Sequence, residues 1–266
     1  MFEIQNLSKS YITLANKKTI LVLDQVNFSA AEGEFVSIIG PSGCGKSTII
    51  KLLAGFVTPD CGQILENGRE ISGISRDRGV VFQYYHLFPW LSVEENISFG
   101  LDLIDLPDEN KKKIVAHYIE VTGLKGFEKA YPKELSGGMR QRAALARTFA
   151  TNPKILLLDE PFTALDVQTK RFMQDLLLQI WEQEKRTIIF VTHDVEEAVF
   201  MSDKVVVLTQ RPAHVNEEIK INLPRPRDLN VEYSEEFVKI KKHIQEIITK
   251  ESLVLLKLDL NIYKNL

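Results

Sequence analysis

Two cysteines, Cys44 and Cys61, are the whole thiol content of 266 residues. Neither belongs to a CxxC pair, so the chain shows no zinc pattern and no disulfide framework, and a reduced, cytosolic compartment is expected. Basic charge is equally short. The 33 Lys and Arg against 36 Asp and Glu give a net charge of −3, which removes the excess that drives non-specific nucleic-acid binding. Long apolar runs are missing as well: "ILLL" and "VVVL" are far too short to span a bilayer. The opening "MFEIQNLSKSY" has no basic-then-apolar leader pattern, and no repeat or low-complexity tract interrupts the chain. What remains is 44% hydrophobic, an ordinary globular composition with ample material for a core. Work at a membrane would then require docking onto another protein.

The apolar runs that are present carry the fold reading. "EFVSIIG" (34–40), "KILLLDEP" (154–161), "RTIIFVTHD" (186–194) and "KVVVLTQ" (204–210) are near-continuous and alternate with helical segments. This pattern predicts a parallel sheet covered on both faces. "MFEIQNL" and "VLDQVNFSA" alternate more strictly and predict antiparallel additions at the N-terminus. From 84 to about 151 the segments have helical spacing and no long apolar strand, which predicts a helical subdomain inserted in an α/β domain spanning 1–228. An extension, 229–266, follows "LPRPRD". Within it Phe237, Ile240, Ile244 and Ile247 share one helical face, whereas "LLKLDLNIYKNL" alternates like a strand.

The chemistry begins at "GPSGCGKST" (40–48), which follows a strand, precedes a helix and fits G-x-x-x-x-G-K-[ST]. Its glycines let successive backbone N–H groups wrap phosphates, Lys46 can reach the β and γ phosphates, and the Ser47 hydroxyl can hold Mg²⁺. "ILLLDE" delivers Asp159 and Glu160 from a strand end, a carboxylate for the Mg²⁺ shell and one to orient or deprotonate water. His193 ends another strand, where parallel sheets place their ligands. Gln83 ends "GVVFQ" and can touch metal or water. A second helix start, Ser136-Gly137-Gly138, is also a ready anion site, although one chain has no obvious use for two.

Taken in order, GPSGCGKST, Gln83, LSGGM (135–139), ILLLDE, "ALD" (164–166) and His193 resemble the nucleotide-binding subunits of ABC transporters, over roughly the first 225 residues. The resemblance implies a P-loop NTPase (RecA-like) α/β fold. It implies ATP held by Tyr11, stacked on adenine, and by Gly40, Pro41, Ser42, Gly43, Cys44, Gly45, Lys46, Ser47 and Thr48. Mg²⁺ would be held by Ser47, Gln83 and Asp159, and water would be activated by Glu160 with His193 and Gln83. It also resolves the second helix start. A second copy would pair head to tail, so that Ser136, Gly137 and Gly138 cap the γ-phosphate on the partner's loop while Asp166 lines the seam.

The same resemblance implies a membrane permease docked near 84–90, where Tyr84, Tyr85, Leu87, Phe88, Pro89 and Trp90 cluster. It further implies an extracytoplasmic solute-binding protein, no nucleic acid, and a place on the cytoplasmic face of the cell membrane. "RPAHVNEEIKINLPRPRD" resembles the nitrate, sulfonate and taurine importer group, whose relatives carry bicarbonate or a thiamine-precursor pyrimidine. Thr163 departs from that group's usual "PFGALD", with no mechanistic consequence expected. A soluble ABC ATPase of chromosome maintenance would need a long coiled coil between 48 and 135, where no sustained heptads occur. A small-molecule kinase would leave LSGGM unused. Cys44, inside the phosphate loop, is expected to make activity sensitive to thiol reagents.

Overall fold

The computed structural model describes residues 1–13, 17–83, 87–163 and 165–263, without the side chains of Leu229 and 254–263. In chain order the elements are β1 (Phe2–Ile12), β2 (Thr19–Ala30), β3 (Phe35–Ile39), α1 (Lys46–Leu53), β4 (Cys61–Glu66), β5 (Arg69–Glu70) and β6 (Arg78–Val81). Then come α2 (Val93–Ser98), α3 (Asp108–Val121), α4 (Gly137–Ala150), β7 (Ile155–Asp159) and α5 (Val167–Glu184). The chain closes with β8 (Thr187–Val191), α6 (Val195–Met201), β9 (Lys204–Leu208), β10 (Val215–Lys220) and α7 (Glu235–Tyr263). Two compact units result, 1–74 with 187–266, and 75–186.

In the first unit, β3 lies parallel to both β8 and β9, and β10 adds antiparallel to β9. Every residue of β3, β8 and β9 is buried. This is why these strands read as unbroken apolar runs: covered on both faces, they have no solvated side for polar residues to occupy. A second, antiparallel sheet runs β2-β1-β4-β5, as the alternating N-terminal segments predict.

The "LPRPRD" segment proves to be a fastener. Arg225 donates to Asp203 Oδ1 from Nε at 2.9 Å and to the Met201 carbonyl at 2.7 Å. The buried Arg227 donates from Nη1 to the carbonyls of Val199, Phe200 and Ser202 at 3.0, 2.9 and 2.7 Å. A helix C-terminus exposes unpaired carbonyls, and a guanidinium meets several of them with one side chain. The tail then packs on α6 through α7, whose Phe237, Ile244 and Ile247 are buried, while Lys241 pairs with Glu196.

The strand expected in "LLKLDLNIYKNL" is corrected, since α7 runs through it to Tyr263. Extending an existing helix adds a hydrogen bond for each residue ordered, whereas a strand needs a sheet edge to join. Leu and Lys also favour helix intrinsically.

In the second unit, β6 and β7 pair in parallel, with Val81 beside Leu158. The segment 84–151 carries α2, α3 and α4, which pack on one another. Ser92 and Glu95 form a reciprocal cap at the start of α2, at 3.3 and 2.7 Å, the arrangement that S-x-x-E before an apolar run encodes. Among the described residues no helix is long and apolar enough to cross a membrane.

Candidate functional site

The loop 40–45 leaves β3 and enters α1. Gly43 and Gly45 have φ of +75° and +126°, backbone states that side chains resist. At Gly45 the backbone also passes so close to β2 that an added Cβ would lie 2.8 Å from Leu23 Cδ2. Gly45 is the N-cap of α1 and brings no side chain to it, and the first turn contains no acidic residue. The positive end of the helix dipole and its N–H groups are thereby directed at the loop. Ser42, Gly43 and Ser47 are exposed, Thr48 and Gly45 half-buried, and Gly40, Pro41, Cys44 and Lys46 buried. Lys46 Nζ donates to the carbonyls of Gly40 at 2.9 Å and Pro41 at 3.1 Å, so the cation sits inside the loop. A helix start with no side-chain cap and a lysine inside the preceding loop offers the positive charge and free N–H donors that suit a phosphate group.

Cys44 differs from its expected chemistry. It is fully buried, and that burial pushes its thiol pKa up despite Lys46 nearby. Thiolates, not thiols, react, so the expected sensitivity through Cys44 is corrected to a shielded, slow thiol, and Cys61 is the exposed one.

Tyr11 lies on β1 opposite Ile20 of β2. It is 37% exposed rather than a core tyrosine, and Lys9 Nζ lies 5.7 Å from its ring centroid. His193 is exposed just past β8, whose Val191 pairs with Ile38 of β3. The residues on either side hold it. Buried Thr192 donates to Glu197, and Asp194 caps α6 by accepting from the Glu196 N–H at 3.0 Å. A hollow of about 370 Å³ beside His193 is lined also by Lys241 and Gln245 of α7, so the C-terminal extension shares this hollow with the histidine.

In the second unit, Gln83 and the pair Asp159–Glu160 leave the same end of two adjacent parallel strands. Asp159 is 8% exposed. Glu160 has φ of +46°, and its Oε2 accepts a hydrogen bond from Thr163 Oγ1 at 3.1 Å. Ser136 is an exposed N-cap whose Oγ accepts from the Met139 N–H at 3.3 Å, and Gly137 and Gly138 form the first turn of α4. Asp166 caps α5, accepting from the Thr169 N–H at 3.0 Å. That bond holds its carboxyl below the usual carboxylate range.

The expected docking segment is described only in part, because Tyr84, Tyr85 and Ala164 lie outside the described residues. Leu87 and Phe88 are half-buried, Pro89 is exposed and Trp90 is 70% exposed. Phe88 packs on Phe99 at 4.4 Å between centroids, and the Arg147 guanidinium lies 5.3 Å from its ring. Sequence reasoning missed the residue that shapes this turn. Asn96 is fully buried, accepts from the Phe88 N–H at 2.8 Å, and donates to the Phe88, Leu91 and Ser92 carbonyls at 3.2, 2.9 and 2.9 Å. An asparagine on an otherwise apolar helix face four residues past a cap was the available signal.

Comparison with known proteins agrees with this chemistry. The ABC transporter family model matches residues 23–163. An uncharacterised ABC transporter ATP-binding protein of Methanocaldococcus jannaschii is 48% identical, covering 96% of this chain and 94% of that protein. An aliphatic sulfonates import ATP-binding protein of Bacillus cereus is 45% identical, covering 89% and 92%. A nitrate import ATP-binding protein of a Synechocystis strain is 42% identical, covering 92% and 94%. Among solved structures, a dimeric ATP-binding cassette in a post-hydrolysis state with ADP and Pi superposes with a TM-score of 0.75 at 31% identity, covering 84% of this chain and all of that one. With a phosphate loop, strand-end carboxylates and a second glycine-rich helix start in the family's order, the chain belongs to the ATP-binding subunits of ABC transporters.

Proposed function

We propose that this chain is the ATP-hydrolysing subunit of an importer for a small anion such as nitrate, an alkanesulfonate or taurine, held at the cytoplasmic face of the membrane by a permease. The observation that carries the reading is the pairing of two unlike helix starts. One, at α1, is built as a complete phosphate loop around Lys46. The other, at α4, has an exposed Ser136 followed by two half-buried glycines. A half-site of this sort is useful to a second copy, and a symmetric head-to-tail dimer completes two sites at once. The dimeric cassette structure and the importer names of the relatives support this reading.

Tyr11 stacks the adenine, and residues 40–48 wrap the phosphates. Glu160 takes the proton of the attacking water. The water oxygen bonds to the γ-phosphorus as the bond to the ADP oxygen breaks, while His193 and Gln83 hold the water and the γ-phosphate in line. A divalent cation fits the proposed ligands. Ser47, Gln83 and Asp159 offer only hard oxygen donors, as Mg²⁺ requires. Among the described residues no cluster of three or more His, Cys, Asp or Glu could form an all-protein cage, so Mg²⁺ would be shared with the nucleotide and would neutralise charge on its phosphates. Loss of the γ-phosphate reopens the dimer, and the Leu87–Trp90 turn transmits that movement to the permease.

Glu160→Gln tests the reading. Hydrolysis is expected to fall about 10²–10⁴-fold, with ATP driving the variant into a stable dimer on size exclusion. A variant that stays monomeric with ATP refutes closure of the isolated subunit. Co-purification from native membranes should recover a multi-spanning permease; ribosomal or chromosomal partners alone would refute transport.

A further inference from the structure

We propose that Thr163 is a positioning residue for Glu160, setting the direction of the carboxylate that activates water. The inference rests on the reading of Glu160 as the base. Its observations lie within the turn 160–163. The Thr163 N–H donates to the Glu160 carbonyl at 3.4 Å, and the Thr163 hydroxyl donates to Glu160 Oε2 at 3.1 Å. Backbone and side chain of one residue thus grip backbone and side chain of the other. The turn is anchored between them by Pro161, which is buried, and by Phe162, which is 1% exposed.

Glu160 needs such a grip. Its terminal torsion is broad and nearly two-fold, and its backbone occupies the left-handed region at φ +46°, where a non-glycine residue is held only by its surroundings. A carboxylate is planar, so fixing Oε2 also fixes the direction of Oε1. A general base works only when the oxygen that receives the proton is already in line with the water. A residue without a side-chain donor at 163 could make the backbone half of the turn but not the second bond. Thr163 is exposed, so its substitution does not disturb the core.

Steady-state ATPase of the full chain decides the matter, using Thr163→Val, Thr163→Ser, Glu160→Gln and the Thr163→Val/Glu160→Gln pair. Thr163→Val keeps the shape and removes the donor. Its kcat is expected to fall about three- to tenfold, the worth of one ordinary hydrogen bond, with KM for ATP unchanged. Thr163→Ser restores kcat, and the double variant is no slower than Glu160→Gln alone, because residues acting as a unit are not additive. The inference is overturned if Thr163→Val keeps full kcat, if Thr163→Ser is as slow as Thr163→Val, or if the two substitutions add. An active Glu160→Gln instead overturns the base assignment itself, so the two failures are distinguishable.

Discussion

A methyl group placed on Gly138 would come within 2.5 Å of Thr169 Cγ2. The first turn of α4 therefore lies directly against the first turn of α5, and glycine at 138 has a packing reason as well as its proposed role toward a phosphate. The two reasons separate experimentally. Gly138→Ala should lose about 1–3 kcal/mol from the overlap, offset in part by the better helix propensity of alanine. Adding Thr169→Ser removes Cγ2 and should return the urea midpoint to its original value. The ATPase of the double variant should stay depressed if Gly138 has its proposed role, because the methyl would still cover the surface proposed to meet a second copy's nucleotide. Full recovery of activity would leave Gly138 with packing alone.

Cys44 and Cys61 should react at very different rates. Exposed Cys61 is expected to be alkylated under native conditions and buried Cys44 only in denaturant, with mass spectrometry of tryptic peptides as the readout. The thiol has a consequence for stability too. Burial favours the neutral form, so the folded chain keeps this proton to higher pH than the unfolded chain does. That contribution is complete below the ordinary thiol range of about 8.5 and is lost as pH rises through it toward the raised folded value. The urea midpoint of the native chain should decline across that interval more steeply than that of Cys44→Ala. Equal slopes would show that the buried thiol does not control it.

Arg227 should be among the costliest single side chains to remove from the first unit. Arg227→Met leaves the carbonyls at the end of α6 without its three short bonds and should cost about 2–4 kcal/mol in urea unfolding. Arg227→Lys should recover only part of this, since an ammonium lacks the planar fork. A loss below about 0.5 kcal/mol, the range of ordinary surface changes, would contradict the fastening role.

Asn96→Ala should loosen the turn that presents Trp90. Four hydrogen bonds disappear, and backbone groups of the turn lose their partner, at about 1–3 kcal/mol. The expected signature, if the proposed permease docks on this turn, is its reduced recovery in pull-downs with little change in the ATPase of the chain alone. Unchanged recovery would remove this turn from the docking surface.

The motifs were legible because each is local. A glycine-rich loop, a strand ending in two acids and a serine–glycine helix start each occupy a few consecutive residues, and their backbone requirements appear directly as residue types. The core strands were legible for a related reason: burial on both faces leaves an unbroken apolar run. The far end of α7 was misread because a short alternating stretch fits two periods, and the helix already running through 235–253 settled the choice. The Cys44 thiol was misread because its neighbours in sequence say nothing of its burial.

Local sequence thus specified the chemical groups and most of the elements that hold them. Their environment was left to the fold. Arg227 meets the end of α6 across 25 residues or more, and Gly138 meets Thr169 across two helix starts. Each depends on chain segments brought together by burial, whose free energy belongs to the whole core and is written in no short stretch of residues.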